Sequence, residues 1–223
     1  MGDLIRVLTD NLDAFASGFW VTVRLVAFAF VIAMVVGTLV AALRIARGPG
    51  SVWLRRLGGV YVETFRNIPL LVLLFISFAG MRRAGVDVDP WVAGTASLGL
   101  YTAAYVAEAL RSGVFSVSRG QIEAALSLGY TYRQTLRRVV LPQAFRTVIS
   151  PLGSLIIAMI KNSAIIGVSL LALGDLLKQA RLISSRTFQT DEAFFWAAVG
   201  YLILTVAATL AVRSLEKRYA IHR

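Results

Sequence analysis

The sequence has no cysteine, and its single histidine, His222, lies in the tail. The first absence excludes disulfides, thiolate catalysis and Cys-ligated metals, and one solvated histidine is not a metal site by itself. No G-x-x-x-x-G-K-[ST] stretch occurs, so the chain lacks the loop whose backbone N–H groups cradle nucleotide phosphates. No paired carboxylates, Ser-His arrangement or metal-spaced cluster supports chemistry on a substrate. Charge is scarce too: Asp, Glu, Lys and Arg make up 16% of the 223 residues. Strong internal repeats, low-complexity tracts and long linkers are absent.

What is present is apolar. Hydrophobic residues make up 57% of the chain and the mean hydropathy is +0.72, so an ordinary water-facing surface is excluded. Uncharged runs fall at 25–43, 67–81, 90–107, 147–160 continued past Lys161 to 174, and 193–212. A spanning helix needs roughly 20 mainly apolar residues. The runs therefore predict an all-α membrane protein with five transmembrane helices, the second short and the fourth interrupted by a charge. They form one transmembrane domain over 1–223, core about 20–213, with no soluble catalytic domain. The first 43 residues do not resemble a cleaved signal, because Asp3, Asp10 and Asp13 stand where a positive region would.

A net charge of +11 would suggest nucleic acid as the partner of a soluble protein. The distribution of Lys and Arg points to membrane lipid instead. With the N-terminus outside, the three cytoplasmic segments hold fifteen Lys and Arg and the outer segments six, while eight of the twelve acidic residues fall outside. The positive-inside rule then places the N-terminus outside and the C-terminus in the cytoplasm. Gly48-Pro49-Gly50 marks a turn, and 44–66 is open to two descriptions, a short interfacial helix or an irregular basic loop.

The segment 119–142 is one of those cytoplasmic stretches. Residues 121–128 are good helix formers, Gly129 offers a break where positive φ is cheap, and Thr131 is placed to cap a second helix. Pro142 predicts a chain turn back toward the membrane near Leu141-Pro142. Glu123-Ala124-Ala125, three residues, Gly129, nine residues, then Val139-Val140-Leu141-Pro142 resembles the EAA loop of ATP-binding-cassette (ABC) importer permeases at every element of its spacing. Further words, Arg66-Asn67-Ile68-Pro69-Leu70-Leu71, Tyr105 to Gly113, and Lys161-Asn162-Ser163, are similar to the polar amino acid permease family, and most of all to actinobacterial glutamate-uptake permeases.

The resemblance implies a type I importer (MetI-like) permease fold in a bacterial cell membrane. Glu123, Ala124, Ala125, Gly129, Leu141 and Pro142 would dock into an ATPase. The implied partners are a second permease subunit, two ABC ATPase subunits and an extracytoplasmic amino-acid-binding protein. This chain would bind no cofactor, ATP and Mg being used by the ATPase.

The candidate substrate residues are Lys161, Asn162, Ser163, Glu108 and Asn67. A lysine within a spanning run costs about 2.5–3.5 kcal/mol, which points to a water-filled pathway or a fixed partner. Lys161 is expected either to meet a substrate carboxylate or to pair with Glu108 or with an acid of the second permease. Glu108 either pairs locally with Arg111 or meets a substrate ammonium group. The alternative from another class is an ion-coupled secondary transporter using Lys161 and Glu108 as a relay; such proteins carry inverted repeats, which this chain lacks.

Overall fold

In the computed structural model, which describes residues 2–46, 48, 50–169 and 173–219, every regular element is a helix. His222, Pro49 of the expected Gly-Pro-Gly turn and residues 170–172 of the fourth apolar run lie outside the described residues. A short α1 (Gly2–Asp10) leads into α2 (Leu12–Ile45), which begins well before the apolar run at 25. Its 34 residues extend about 50 Å, more than a bilayer core needs.

The second run is broken rather than merely short. α3 (Ser51–Asn67) and α4 (Leu70–Arg83, with a π-turn at Ile76–Gly80) meet at an angle of 102°. Pro69 has no N–H to continue the helix and holds Ile68 extended at ψ 127°. The N–H groups of Val72 and Leu73 restart the ladder on the Pro69 carbonyl. The stretch 44–66 is thus largely helical, not an irregular loop.

α5 (Pro90–Phe115) starts where the third run does, with Asp89 capping the N–H groups of Trp91 and Val92. It is the centre of the bundle, buried along Ala93, Leu98, Ala103, Ala104 and Ala107 among others. Small residues let α2 approach it: Val106 sits 2.6 Å from where a Cβ on Gly37 would stand, and Ile32 lies 2.7 Å from that point on Gly99. Close backbone approach of this kind is how helices associate in lipid, where apolar burial gives no drive. By length and composition α2, α7 (Tyr132–Val168) and α9 (Thr190–Tyr219) suit a membrane crossing, and the bent α3–α4 pair is a fourth candidate if its two arms form one span. α5 has the length but not the hydropathy. Its Thr95, Ser97 and Thr102 are buried against protein, so it need not be compatible with lipid.

Between α5 and α7 lies α6 (Arg119–Ser127), close to its expected place. The turn expected at Leu141-Pro142 does not occur. α7 runs unbroken through both residues, and a π-turn at Leu136–Val140 precedes Pro142. A π-turn loosens the i→i−4 ladder and so absorbs the missing N–H and the bulk of the ring. The helix ends at Val168, before the expected limit of 174.

α8 (Leu176–Thr187) is pinned at its start by three other helices. Leu176 packs against Gly18 of α2 and Gly200 of α9, and a Cβ on Gly167 of α7 would collide with the Asp175 carboxylate. The Leu176 N–H donates to Thr22 Oγ1 at 3.1 Å, and Asp175 caps Leu177. Asp175 Oδ1 and the Tyr201 hydroxyl are buried there without a hydrogen-bond partner among the described residues. At the same end, Trp196 Nε1 donates to the Leu4 carbonyl and ties α1 to α9.

Candidate functional site

One end of the bundle carries a helix–corner–helix. α6 ends in a Schellman arrangement, with the Tyr130 N–H donating to the Ala125 carbonyl at 3.1 Å and the Gly129 N–H to that of Leu126 at 3.0 Å. Gly129 takes the left-handed position at φ +85°, with nothing within 4 Å of where a Cβ would stand. Thr131 then opens α7 through a reciprocal capping box with Gln134. The chain thus spends its polar groups on fixing the corner's angle.

Not all of the residues expected to dock are exposed at the corner. Ala125 is buried and turned inward, while Glu123, Ala124 and Gly129 are exposed. Leu128, 80% exposed, is the prominent apolar group there. The sequence held a signal for it, since it directly precedes the left-handed glycine and so is lifted off the helix face. Arg119, Arg133, Arg137 and Arg138 surround the corner, and none enters an ion pair among the described residues. Arg138 lies over the Tyr130 ring at 5.7 Å. Leu141 is exposed, whereas Pro142 continues α7 beyond the corner.

Above the corner, α5 lines two cavities, the first polar and the second of mixed lining. One, of about 430 Å³, is bounded by Arg44, Glu63, Arg66, Asn67, Tyr105 and Glu108. The other, of about 530 Å³, shares Arg66, Tyr105 and Glu108 and reaches Ser112, Thr147 and Ser154. Both oxygens of Glu108 are occupied: Arg111 Nη2 donates to Oε1 at 2.6 Å, and Arg44 pairs with Oε2. Arg44 went unnoticed as a partner because 64 residues separate it from Glu108 and only the α2–α5 packing brings them together. Arg66 pairs with no acid among the described residues and lies over the Tyr105 ring at 5.4 Å. Asn67 reaches the same cavity, its Nδ2 donating to the Glu63 carbonyl.

The words around residues 67 and 108 therefore meet, but Lys161-Asn162-Ser163 stands apart. Lys161 is exposed and makes no ion pair among the described residues, so the expected pairing with Glu108 is not formed; Glu108 is held by the two nearer guanidinium groups. Helical geometry divides the triplet. Ser163 is buried, donating to the Ile160 carbonyl at 2.7 Å, and Asn162 is half-buried. No three His, Cys, Asp or Glu side chains among the described residues could hold a metal ion.

Long apolar helices, a rigid exposed corner at one end and cavities along a central helix define a membrane transport subunit. Residues 33–221 match the family described as "Binding-protein-dependent transport system inner membrane component", and the chain belongs to that family. It is 42% identical over 214 residues (96% of this chain, 97% of the relative) to the probable glutamine ABC transporter permease protein GlnM of Bacillus subtilis (strain 168). To the glutamate transport system permease protein GluC of Corynebacterium glutamicum it is 38% identical over 217 residues, 92% of this chain and 93% of that one. Among solved structures, an amino acid ABC transporter crystallised with histidines matches with TM-score 0.88 and 31% identity, covering 95% of this chain and 96% of that one. The MetNI methionine ABC transporter in an inward-facing conformation shares the fold, with TM-score 0.73 at 23% identity over 94% of this chain and 98% of that one.

Proposed function

We propose that this chain is the permease subunit of an ATP-driven importer of a polar amino acid, with glutamate or glutamine the favoured cargo. The observation that carries this is the corner at Gly129, which couples a fixed angle to exposed Glu123, Ala124 and Leu128 in a chain of the binding-protein-dependent family. The whole chain forms one five-span domain in the bacterial cell membrane, with α5 as a protein-enclosed span, the N-terminus outside and the C-terminus in the cytoplasm. A second permease completes the pathway. Two ABC ATPases, which bind the ATP and Mg, take the corner, and a binding protein delivers substrate at the opposite end. The chain itself hydrolyses nothing.

Transport follows from two alternating packings of rigid helices. Closure of the ATPase dimer carries the corner, and α7 with it, so that the cavity opens outward; hydrolysis resets it. Arg44 and Arg66 share the polar cavity with Glu63 and Glu108, and Arg111 pairs with Glu108 from outside it. Because both Glu108 oxygens are occupied, Arg66 is the charge left for a substrate carboxylate, and Glu108 positions the arginines beside it. Lys161 and Asn162, free of ion pairs among the described residues and nearer the other end of α7, meet the substrate as it enters.

Proteoliposomes containing the permease, its ATPase and its binding protein test this. Uptake of labelled glutamate or glutamine should require ATP inside and persist without an ion gradient. Uptake driven by a proton or sodium gradient in the absence of ATP would instead establish the secondary-transporter alternative.

A further inference from the structure

Phe188 combines two unusual properties. It is 90% exposed, the most exposed large hydrophobic side chain among the described residues. It is also the one non-glycine residue among them with positive φ, at 59°. It caps the C-terminus of α8, its N–H donating to the Ser184 carbonyl at 2.9 Å, in a position that glycine or asparagine normally takes because a Cβ is disfavoured there. The fold gains nothing from an aromatic ring at this point. A ring held in strain and presented to solvent is the arrangement found where contact is the purpose.

Its place in the bundle limits what it touches. α7 leads away from the Gly129 corner, and α9 returns to that end, where Tyr219 packs on Phe145 with ring centroids 5.7 Å apart. Phe188, just before α9, therefore stands at the far end. The apolar stretch 193–212 of α9 fills about 30 Å, the thickness of the hydrocarbon core. Phe188 lies beyond it, between Ser185-Arg186-Thr187 and Gln189-Thr190-Asp191-Glu192. This polar setting favours water over lipid. Arg181 and Arg186 are exposed on the same helix and form no ion pair among the described residues.

We propose that Phe188, exposed at the C-terminal end of α8, is the knob on which the importer's binding protein seats, entering an apolar cup. This rests on the importer function proposed above and on the family's dependence on a binding protein. An exposed aromatic is a common centre of a binding hot spot, in which truncation of one side chain removes most of the affinity.

The decisive variant is Phe188→Gly, which relieves the backbone while deleting the ring. It is measured in the complete transporter in nanodiscs, together with Phe188→Trp, using the substrate-loaded binding protein that stimulates the wild-type ATPase. Phe188→Gly should melt at or above the wild-type temperature and keep its basal ATPase rate. The binding-protein concentration giving half-maximal stimulation should rise about tenfold or more, and Phe188→Trp should stay near wild type. An unchanged half-maximal concentration in Phe188→Gly overturns the docking proposal alone. Quenching by brominated lipid of the fluorescence that Phe188→Trp adds to that of the four native tryptophans also overturns it, in favour of a membrane anchor. A wild-type complex that responds to no binding protein refutes the importer function itself.

Discussion

Substitutions at Gly129 separate two reasons for a glycine at the corner. The first is conformational: at φ +85° a residue with a Cβ costs about 1–2 kcal/mol, and Asn or Asp less because their side chains hydrogen-bond locally. The second is spatial. Nothing in the subunit lies within 4 Å of the position a Cβ would take, so any steric penalty must come from a docked partner. If conformation alone matters, coupling should follow the order Gly, Asn and Asp, then Ala. If an ATPase surface closes on the corner, bulk and charge decide, and the order becomes Gly, Ala, Asn, Asp. We expect the second order. Ala should lower the docked fraction by about five- to thirtyfold, since about 1.4 kcal/mol is a factor of ten, and Asp should abolish coupling while the complex stays inserted. The assay is substrate uptake per ATP hydrolysed in proteoliposomes, with melting temperature measured alongside. Wild-type uptake and stimulated ATPase activity in Gly129→Asp would remove this corner as the transmission element.

Four further outcomes follow from the packing and the charges. Lys161→Met should leave assembly and melting intact and lower uptake, since Lys161 has no ion-pair partner among the described residues; loss of assembly would show that it pairs with an acid of the second permease. Glu108→Ala leaves Arg44 and Arg111 facing each other and should destabilise the subunit by about 1–3 kcal/mol, less than for a fully buried pair because all three groups retain some exposure; an unchanged denaturation midpoint would refute the clamp. Gly153→Ala drives a methyl group into Val212 of α9 and should cost about 1–3 kcal/mol by overpacking, read as a lowered melting temperature in detergent. Asp175→Asn keeps the cap on Leu177 and removes a buried charge whose Oδ1 has no partner among the described residues. Its melting temperature should equal or exceed wild type, and a fall would show that the charge is compensated.

The parts of this protein legible in its sequence are those set by local chemistry. The Gly129 corner, the Thr131 cap and the end of α6 each depend on residues within about one turn, and so they stand near their expected places. Apolar runs located the long helices but not their ends, because α2 continues through polar residues once it has left the region where hydropathy decides. Pro142 misled for a definite reason. A proline forbids a regular ladder but not a π-turn, and residues 136–140 supply one. The clamp on Glu108 was only half visible: Arg111 lies one turn away, whereas Arg44 arrives through close packing of α2 on α5 that no local pattern encodes. Likewise, three consecutive polar residues at 161–163 look like one surface until the helix rotates Ser163 into the interior.

Because α7 does not turn at Pro142, it is a single lever arm. From Tyr132 at the corner to Lys161 it measures about 44 Å at 1.5 Å per residue. A tilt of about 5° imposed at the corner therefore displaces Lys161 by about 4 Å, more than the length of a hydrogen bond, without any residue between them changing conformation. Compliance along such a rod is concentrated where its ladder is weakest, at the π-turn 136–140 and at Pro151. Stiffening either point alters how much of the stroke arrives at Lys161, and the stoichiometry of ATP to substrate would change before either binding affinity did.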